Sequence, residues 1–584
     1  MTRRELCRYV FSLFAICVIA AWTPFLSHAF AQDARGAVPA ATSDAIRPVA
    51  AKHGMVVAQE RLAARIGADV LAQGGNAVDA AVATGFALAV TYPRAGNIGG
   101  GGFMLIHLSD SGRDIAIDYR ETAPGATGRD IFLGADGKPD PAKSRDSALG
   151  IGVPGTVAGL ALALDRYGSG RFTLARLLQP AITLAREGLT VADDSADTLS
   201  QSHDRLARWP SSMKIFARPD GTALREGDRL VQADLAATLT AIAEQGAQGF
   251  YEGPVASKLV KGIGAAGGIM TLEDLKSYRP LIREPVRGRY RGYDILSMPL
   301  SSSGGTVLLE SLNILEGFPM RDLHQGSLDS LHVLVEAMKR AYADRARHLG
   351  DPAFVDVPVK TLLAKDYAAK QRASIETRHA TPADAVLVPP REGDNTTHFS
   401  VADAFGNVVS NTYTLNFSYG VGLVAEGTGV LLNNELDDFT AAPGAANAFG
   451  LVGFEANLPG PGKRPLSSMT PTIVLKDGKP VLATGSPGGS RIVSTVLQVI
   501  VNVLDYDMNI AAAVHAPRLH HQWLPDEVRA EQGFSDDIIA GLRARGHTVV
   551  VPMGQTSANS IAITPDGLFG APDPRTRGSS AAGY

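Results

Sequence analysis

Gly393-Asp394-Asn395-Thr396-Thr397-His398-Phe399 puts a turn-forming Gly-Asp-Asn directly ahead of a run that opens on two β-branched residues. Glycine, aspartate and asparagine favour turns, and paired threonines suit the pleated surface of a strand. The spacing therefore predicts a strand that begins with threonine and keeps Phe399 and Val401 on one face. A turn at Asp403 to Asn407 and a returning strand over Val408 to Thr414 follow. Taken alone, the stretch is an ordinary strand entry. Asn395-Thr396-Thr397 also satisfies a glycosylation sequon, which matters only in a eukaryotic secretory pathway. The surrounding chain has to decide.

Upstream, after an Ala-rich lead-in, Gln59 to Ala72 sets Leu62, Ile66 and Val70 on one helical face, and Gly74-Gly75 ends that helix. Ala77 to Val90 is nearly all apolar, which predicts a helix buried between other layers. Gly99-Gly100-Gly101-Gly102 then leads into two strands, Phe103 to Leu108 and Ile115 to Tyr119, joined by a turn at Ser109 to Arg113. A dinucleotide fingerprint needs its glycines after a strand and opening a helix. Here the order is helix, glycines, strand, and no Walker-type Gly-Lys-Ser/Thr is present. From about Thr156 to Ser374 the pattern reads as mainly helical, most clearly over Leu160 to Leu164, Leu174 to Ala185, Leu235 to Ala243 and Leu328 to Tyr342. Past Arg391 it becomes β-rich. Helices, strands, then strands and helices again predict an α+β architecture with two antiparallel sheets stacked between helical layers.

Composition agrees with one large unit or several domains. The 584 residues are 45% hydrophobic and 20% charged, enough to build a core and unlike a disordered chain or a bundle of membrane spans. The 55 basic and 59 acidic residues are interspersed, with no basic block to neutralise a phosphate backbone, so nucleic acid is not an expected partner. Arg3, Arg4 and Arg8 precede the apolar run Tyr9 to Ala21, and Ala29-Phe30-Ala31 offers small residues at a cleavage site: residues 1–31 read as a secretory signal peptide. Pro24 and Ser27-His28 interrupt the segment before it reaches the length of a stable membrane span. Both cysteines, Cys7 and Cys17, fall inside it, so the exported chain would carry no thiol, thiolate metal site or disulfide.

Several segments, in order along nearly the whole mature chain, resemble the bacterial branch of the gamma-glutamyltransferase family. They are Asp118-Tyr119-Arg120-Glu121-Thr122-Ala123-Pro124, Asn395-Thr396-Thr397-His398, Thr412-Tyr413-Thr414-Leu415-Asn416, Leu432 to Phe439 (LNNELDDF), Lys463 to Met469 (KRPLSSM) and Gly485 to Arg491 (GSPGGSR). The resemblance implies the four-layer αββα sandwich of N-terminal nucleophile hydrolases. It also implies a precursor that cuts itself between Asn395 and Thr396, giving a large fragment 32–395 and a small fragment 396–584 that stay together as a heterodimer. The implied reaction is γ-glutamyl transfer from glutathione and related γ-glutamyl amides to water or to amino-acid and peptide acceptors, with no cofactor and no metal.

The chemistry suits those residue types. A threonine hydroxyl is a weak nucleophile until a base takes its proton, and an α-amine with a pKa of roughly 7.7 to 8.0 is such a base. Only an N-terminal threonine has one at hand, so cutting before Thr396 and activating it are one event. By resemblance Thr414 tunes the nucleophile, and the backbone N–H groups of Gly488 and Gly489 form the oxyanion hole. Arg120 with Ser467 and Ser468 would hold the donor's α-carboxylate. Asp438 with Asn416 and Glu435 would hold its α-ammonium. Read without the resemblance, Ser486-Pro487-Gly488-Gly489 is a plain turn, Asp437-Asp438 are solvated turn residues, and Arg120 is a structural partner of Glu121 or Asp118.

Ala442 to Gly450 resembles the loop that lids the pocket in many bacterial members, which often carry tyrosine where this chain has Phe449. Without that hydroxyl the corresponding lid-to-pocket hydrogen bond is lost, while aromatic packing can still close the loop. His515, His520 and His521 lack metal-ligand spacing and are expected to pack with Trp523. Two rival functions share this sequence: a glutaryl-type cephalosporin acylase on the same fold, and an unprocessed, inactive exported binding protein. Export with Gram-negative resemblance implies the periplasm.

Overall fold

The computed structural model describes residues 46–383, 396–554 and 556–584. The sequence expectations for residues 1–31 and for Asn395 lie outside these residues. Two seven-stranded antiparallel sheets form the middle of the molecule. One runs in the order Ser580–Gly583, Met55–Ala58, Thr397–Ala402, Val408–Thr414, Gly101–Leu108, Arg113–Tyr119, Leu281–Arg283. The other runs Val49–Ala51, Gly567–Ala571, Ser560–Thr564, Lys479–Thr484, Thr472–Lys476, Tyr293–Ser297, Val286–Tyr290. Between them pack Met55, Val57, Phe103, Leu105, Leu296, Val408, Ile473 and Ala483.

Each sheet's outer face is covered by helices. Arg61–Ala72, Ala77–Thr91 and Thr156–Tyr167 lie against the first sheet, with Ala80, Phe86 and Leu160 in one core with Met104, Ile106, Phe399 and Tyr413, and Leu174–Glu187 packs on Ala77–Thr91. On the other side Gly304–Leu315, Leu328–His348 and Arg491–Leu504 cover Ile295, Val474 and Leu482. This is the expected αββα sandwich, and it explains the burial of the central strands: Thr397–Ala402 and Val408–Thr414 are buried along their whole length because both faces are covered. Each such large apolar side chain contributes roughly 1.5–3 kcal/mol on burial.

The hairpin reading survives with its pairing intact, Leu105 opposite Ala116 and Ile106 opposite Ile115. Ala77–Thr91 is buried at every position, as its all-apolar sequence predicts. Three details differ. Leu62 is exposed, because the first helix docks through Ala63, Ala64, Ala68 and Leu71, whose small side chains permit close approach. Short strands Val49–Ala51 and Met55–Ala58 precede the first helix. The middle is not all helical either: Leu281–Arg283, Val286–Tyr290 and Tyr293–Ser297 complete edges of both sheets. These strands are short, and Val286–Tyr290 is poor in apolar residues, with Gly288 between the exposed Arg287 and Arg289; two of the three lie at sheet edges, where charged side chains are compatible with strand pairing.

Candidate active site

Thr396 stands at the head of the strand Thr397–Ala402, in the centre of its sheet. Its neighbour strand brings Thr414 alongside through the register Thr397 opposite Tyr413. Thr396 Oγ1 donates to Thr414 Oγ1 at 3.3 Å, and the same Thr414 oxygen accepts the backbone N–H of Asn416 at 2.9 Å. The pairing is fixed by sheet register, so a one-residue slip would remove it. The glycine run seen in the sequence serves this corner: a Cβ on Gly100 would fall 2.0 Å from the Thr414 carbonyl oxygen, and one on Gly101 2.7 Å from Glu121 Oε2. Below, His398 bonds Thr412 and Ser400 through its two ring nitrogens, and burial pushes its pKa down to about 3, so it is a neutral support.

Gly488 and Gly489 precede the helix Arg491–Leu504 and have φ of +127° and +56°. A Cβ on Gly489 would lie 2.3 Å from the Phe449 ring, and one on Gly488 2.7 Å from Thr556. Both conformation and space therefore require glycine. Among the described residues neither N–H donates a hydrogen bond, which leaves two backbone donors at a helix N-terminus beside Thr396.

Opposite lies a cluster of buried charge. The Arg120 guanidinium is fully buried and forks between Glu435 and Asp438, the latter at 2.5 Å, while its Nε donates to the Pro465 carbonyl at 3.1 Å. Glu121 lies 3.9 Å away with both carboxylate oxygens buried and unbonded. Burial opposes the charge on Arg120, but Glu435, Asp438 and Glu121 outweigh it and hold the guanidinium ionised. Burial also pushes Glu121 up to about 7, and raises Glu435 and Asp438, with Arg120 pulling each back. Three carboxyl groups around one guanidinium offer oxygen acceptors to a cation placed beside Arg120, and such a cation would favour their ionised forms. Asp118 is not Arg120's ionic partner, since its carboxylate serves Arg283 and Arg464 and only the Arg120 backbone N–H. Nor is the Asp437-Asp438 pair solvated. Asp437 ties Ser144, Arg145 and the Ala448 N–H together, and Asp438 faces Arg120.

Ser467 and Ser468 close the remaining side. The backbone of Ser467 pairs with Ser301 and Ser303 ahead of the helix Gly304–Leu315. A cavity of about 20 Å³ is lined by Thr396, Thr414, Gly489, Arg120, Asn416, Glu435, Asp438, Ser467 and Ser468, with Phe449 over it. Gly488 lines instead a larger polar cleft of about 1020 Å³ that shares Thr396 with the cavity and carries Arg145, Arg205 and Asp146 on its walls.

The loop from Ala442 to Gly450 is anchored by contacts other than a tyrosine hydroxyl. Phe449 is buried and meets Phe417 edge-on with ring centres 6.0 Å apart, its carbonyl accepts from Gln522, and Asn447 donates to Asp438 Oδ1 at 3.0 Å. Asn447 is a contact that sequence reading missed, because an asparagine in a Gly/Ala loop signals only a turn. His520 bonds Ser494 and Gln522, and His521 bonds Asp526 and accepts the Trp523 N–H, while His515 ends a separate short helix.

A threonine heading a central strand of an antiparallel αββα sandwich, with backbone donors on one side and a small cavity walled by charged side chains on the other, defines an enzyme of the N-terminal nucleophile hydrolase class. Within that class the comparisons are specific. The chain belongs to the gamma-glutamyltranspeptidase family, whose model matches residues 63–583. It is 50% identical to the glutathione hydrolase proenzyme of Escherichia coli (strain K12), over 93% of this chain and 93% of that protein. It is 41% identical to the acylase ACY 1 proenzyme of Pseudomonas sp. (strain SE83), over 92% and 94%. Among solved structures it resembles a cephalosporin acylase from Bacillus halodurans, with a TM-score of 0.80, 31% identity and 92% of this chain covered against 97% of that one. Among the described residues no helix is long and apolar enough to cross a membrane.

Proposed function

We propose that this protein is an exported, self-processing γ-glutamyltransferase and glutathione hydrolase. The observation that carries the reading is the Arg120 fork between Glu435 and Asp438, which puts opposite charges at one end of a small cavity whose other wall holds Thr396. Such a pair is complementary to a zwitterion: the donor's α-carboxylate takes the guanidinium, with Ser467 and Ser468, and its α-ammonium takes Asp438, Glu435 and Asn416.

In the precursor Thr396 has a peptide nitrogen. Its hydroxyl attacks the carbonyl carbon of Asn395, the peptide bond gives way to an ester, and water hydrolyses that ester, leaving fragments 32–395 and 396–584 as a heterodimer. The freed α-amine then takes the hydroxyl proton as Thr396 Oγ1 attacks the donor's γ-carbonyl. The Gly488 and Gly489 N–H groups receive the developing oxyanion, a contribution of about 3 to 4 kcal/mol per donor. The leaving amine departs with the proton, and water or an acceptor amine opens the γ-glutamyl ester. The family's proenzyme relatives support self-processing, and residues 1–31 support export to the periplasm.

The acylase relatives share fold and nucleophile. A glutaryl donor has no ammonium, however, and would leave the Asp438 carboxylate desolvated and unpaired once its carboxylate drew Arg120 away. Purified protein run on a denaturing gel, then incubated with glutathione with and without an acceptor dipeptide, tests the whole reading. Two fragments, glutamate release and a γ-glutamyl dipeptide are expected. A single chain that releases nothing would leave the binding-protein reading standing.

A further inference from the structure

We infer that Arg345 is a positioning residue for the carboxylate end of the donor, supplying through Ser468 a second positive charge. This rests on the proposed γ-glutamyl reading. Arg345 sits in the last turn of Leu328–His348, a helix with no sequence segment in the site. It is 4% exposed, its Nε donates to Ser303 Oγ at 2.9 Å, and its Nη2 reaches Ser468 Oγ at 3.4 Å. Ser303 in turn donates to the Ser467 carbonyl at 2.6 Å, so one guanidinium braces both serines of the cavity wall.

Its charge is the unusual feature. Arg120 is matched by Glu435 and Asp438, whereas among the described residues no carboxylate lies within ion-pairing distance of Arg345. The adjacent Asp344 is no partner, since its carboxylate is bonded by Tyr367 and Gln371. Burial disfavours the charged form, with Tyr342 and Asp438 pulling the other way and Arg120 adding to the burden. A buried cation without a direct counter-ion is costly unless something else supplies the anion. The cavity wall it touches is the one where a donor carboxylate would lie, and that anion would be the missing partner. Arg120 alone does not suffice for this, because it is already engaged on both arms and must be shared between Glu435, Asp438 and the incoming carboxylate. Arg345 keeps the potential at Ser468 positive throughout the exchange.

The test uses processed enzyme and three small inhibitors of γ-glutamyl anilide cleavage: L-glutamate, glutarate, which lacks the ammonium, and 4-aminobutyrate, which keeps the amine and the γ-carboxylate but lacks the α-carboxylate. Arg345→Gln is expected to raise KM for the anilide and Ki for glutamate and glutarate by roughly tenfold or more, the scale of a charge-assisted bond, with kcat little changed. The Ki for 4-aminobutyrate is expected to stay within about twofold, since it makes no use of that charge. Arg345→Lys keeps the charge but not the fork, and is expected to restore part of the glutamate and glutarate affinity. If the glutamine variant fails to process, the lysine variant alone carries the same comparison with smaller shifts. Equal weakening of all three inhibitors, no weakening of any, or failure of both variants to process would each overturn the inference. Wild-type enzyme that leaves γ-glutamyl anilide intact would instead sink the proposed function, which separates the two failures.

Discussion

The nucleophile corner and the charge cluster face each other across one small cavity, yet they are built by different physics. Thr396, Thr414 and the two glycines are set by backbone: sheet register on one side and left-handed or crowded conformations at a helix start on the other. Arg120, Glu121, Glu435 and Asp438 come from distant parts of the chain and are held by one another's charges. The first arrangement is ready before substrate arrives. The second pairs Arg120 with Glu435 and Asp438 but leaves Glu121 unbonded, and on the proposed reading it exchanges partners to bind a donor. Reaction and recognition are thus separable, and variants on each side are expected to fail in different ways.

The largest effect falls on the nucleophile. Thr396→Ala is expected to give a single uncleaved chain with no acyl transfer, because both reactions use the same hydroxyl, and Thr396→Ser to process slowly. A denaturing gel and a γ-glutamyl anilide assay read both. Efficient cleavage of the alanine variant would assign the cut to another protease.

Next comes Gly489→Ala. The added Cβ meets Phe449 at 2.3 Å and the site needs positive φ, so the backbone donor must shift. A loss of about 10² to 10³ in kcat on every donor is expected, the cost of one oxyanion contact. Normal kcat would remove this N–H from the mechanism.

Asp438→Ala acts on the other side and is expected to discriminate. For γ-glutamyl anilide kcat/KM should fall at least tenfold, about 1.4 kcal/mol, because the ammonium loses its anion. Glutaryl anilide should lose much less or gain, since no desolvated carboxylate remains. Equal loss on both donors with processing intact would mean that Asp438 does not meet the ammonium and that the donor lies the other way round.

The two regions also differ in how far sequence alone reveals them. Strand, turn and returning strand around Thr396 follow from alternation and turn residues, and the layer order follows from the all-apolar Ala77–Thr91. Local pattern carries such information because register is local. The charge cluster has no local signature: Arg120 and Asp438 became candidates through family resemblance, and on spacing alone they are surface ions. Arg345 shows the limit, as nothing in the sequence singles it out within the charged run Lys339 to His348, most of which is buried. The strands between Leu281 and Ser297 stay hidden because they are short and Val286–Tyr290 carries few apolar residues, with Gly288 between Arg287 and Arg289.

The smallest effect sharpens the contrast through pH. Glu121 has its pKa raised by burial to about 7, against 4.5 in the unfolded chain, with Arg120 opposing and Asp438 adding to the shift. Between those two values the folded state binds more protons than the unfolded one, so the stability linked to Glu121 is full below pH 4.5 and is lost as pH rises through about 7. The buried His398, His520 and His547, each depressed to about 3, have the opposite sign: they bind fewer protons when folded, and their contribution is lost as pH falls below 6.5. The windows overlap, so a single melting curve against pH cannot separate them. Glu121→Gln can, because it removes one titration and leaves the histidines in place. The difference in Tm, wild type minus variant, is expected to decline from pH 4.5 to pH 7, by an amount on the order of 1 °C for each kcal/mol in a chain of this size. A control at Thr414, Thr414→Val, is expected to leave that slope untouched, since the Thr414 hydroxyl bonds Thr396 Oγ1 and the Asn416 N–H and no carboxyl group. A flat Tm difference for Glu121→Gln would mean that the carboxyl keeps one protonation state across this range in the folded and unfolded chain alike, and that burial does not shift it.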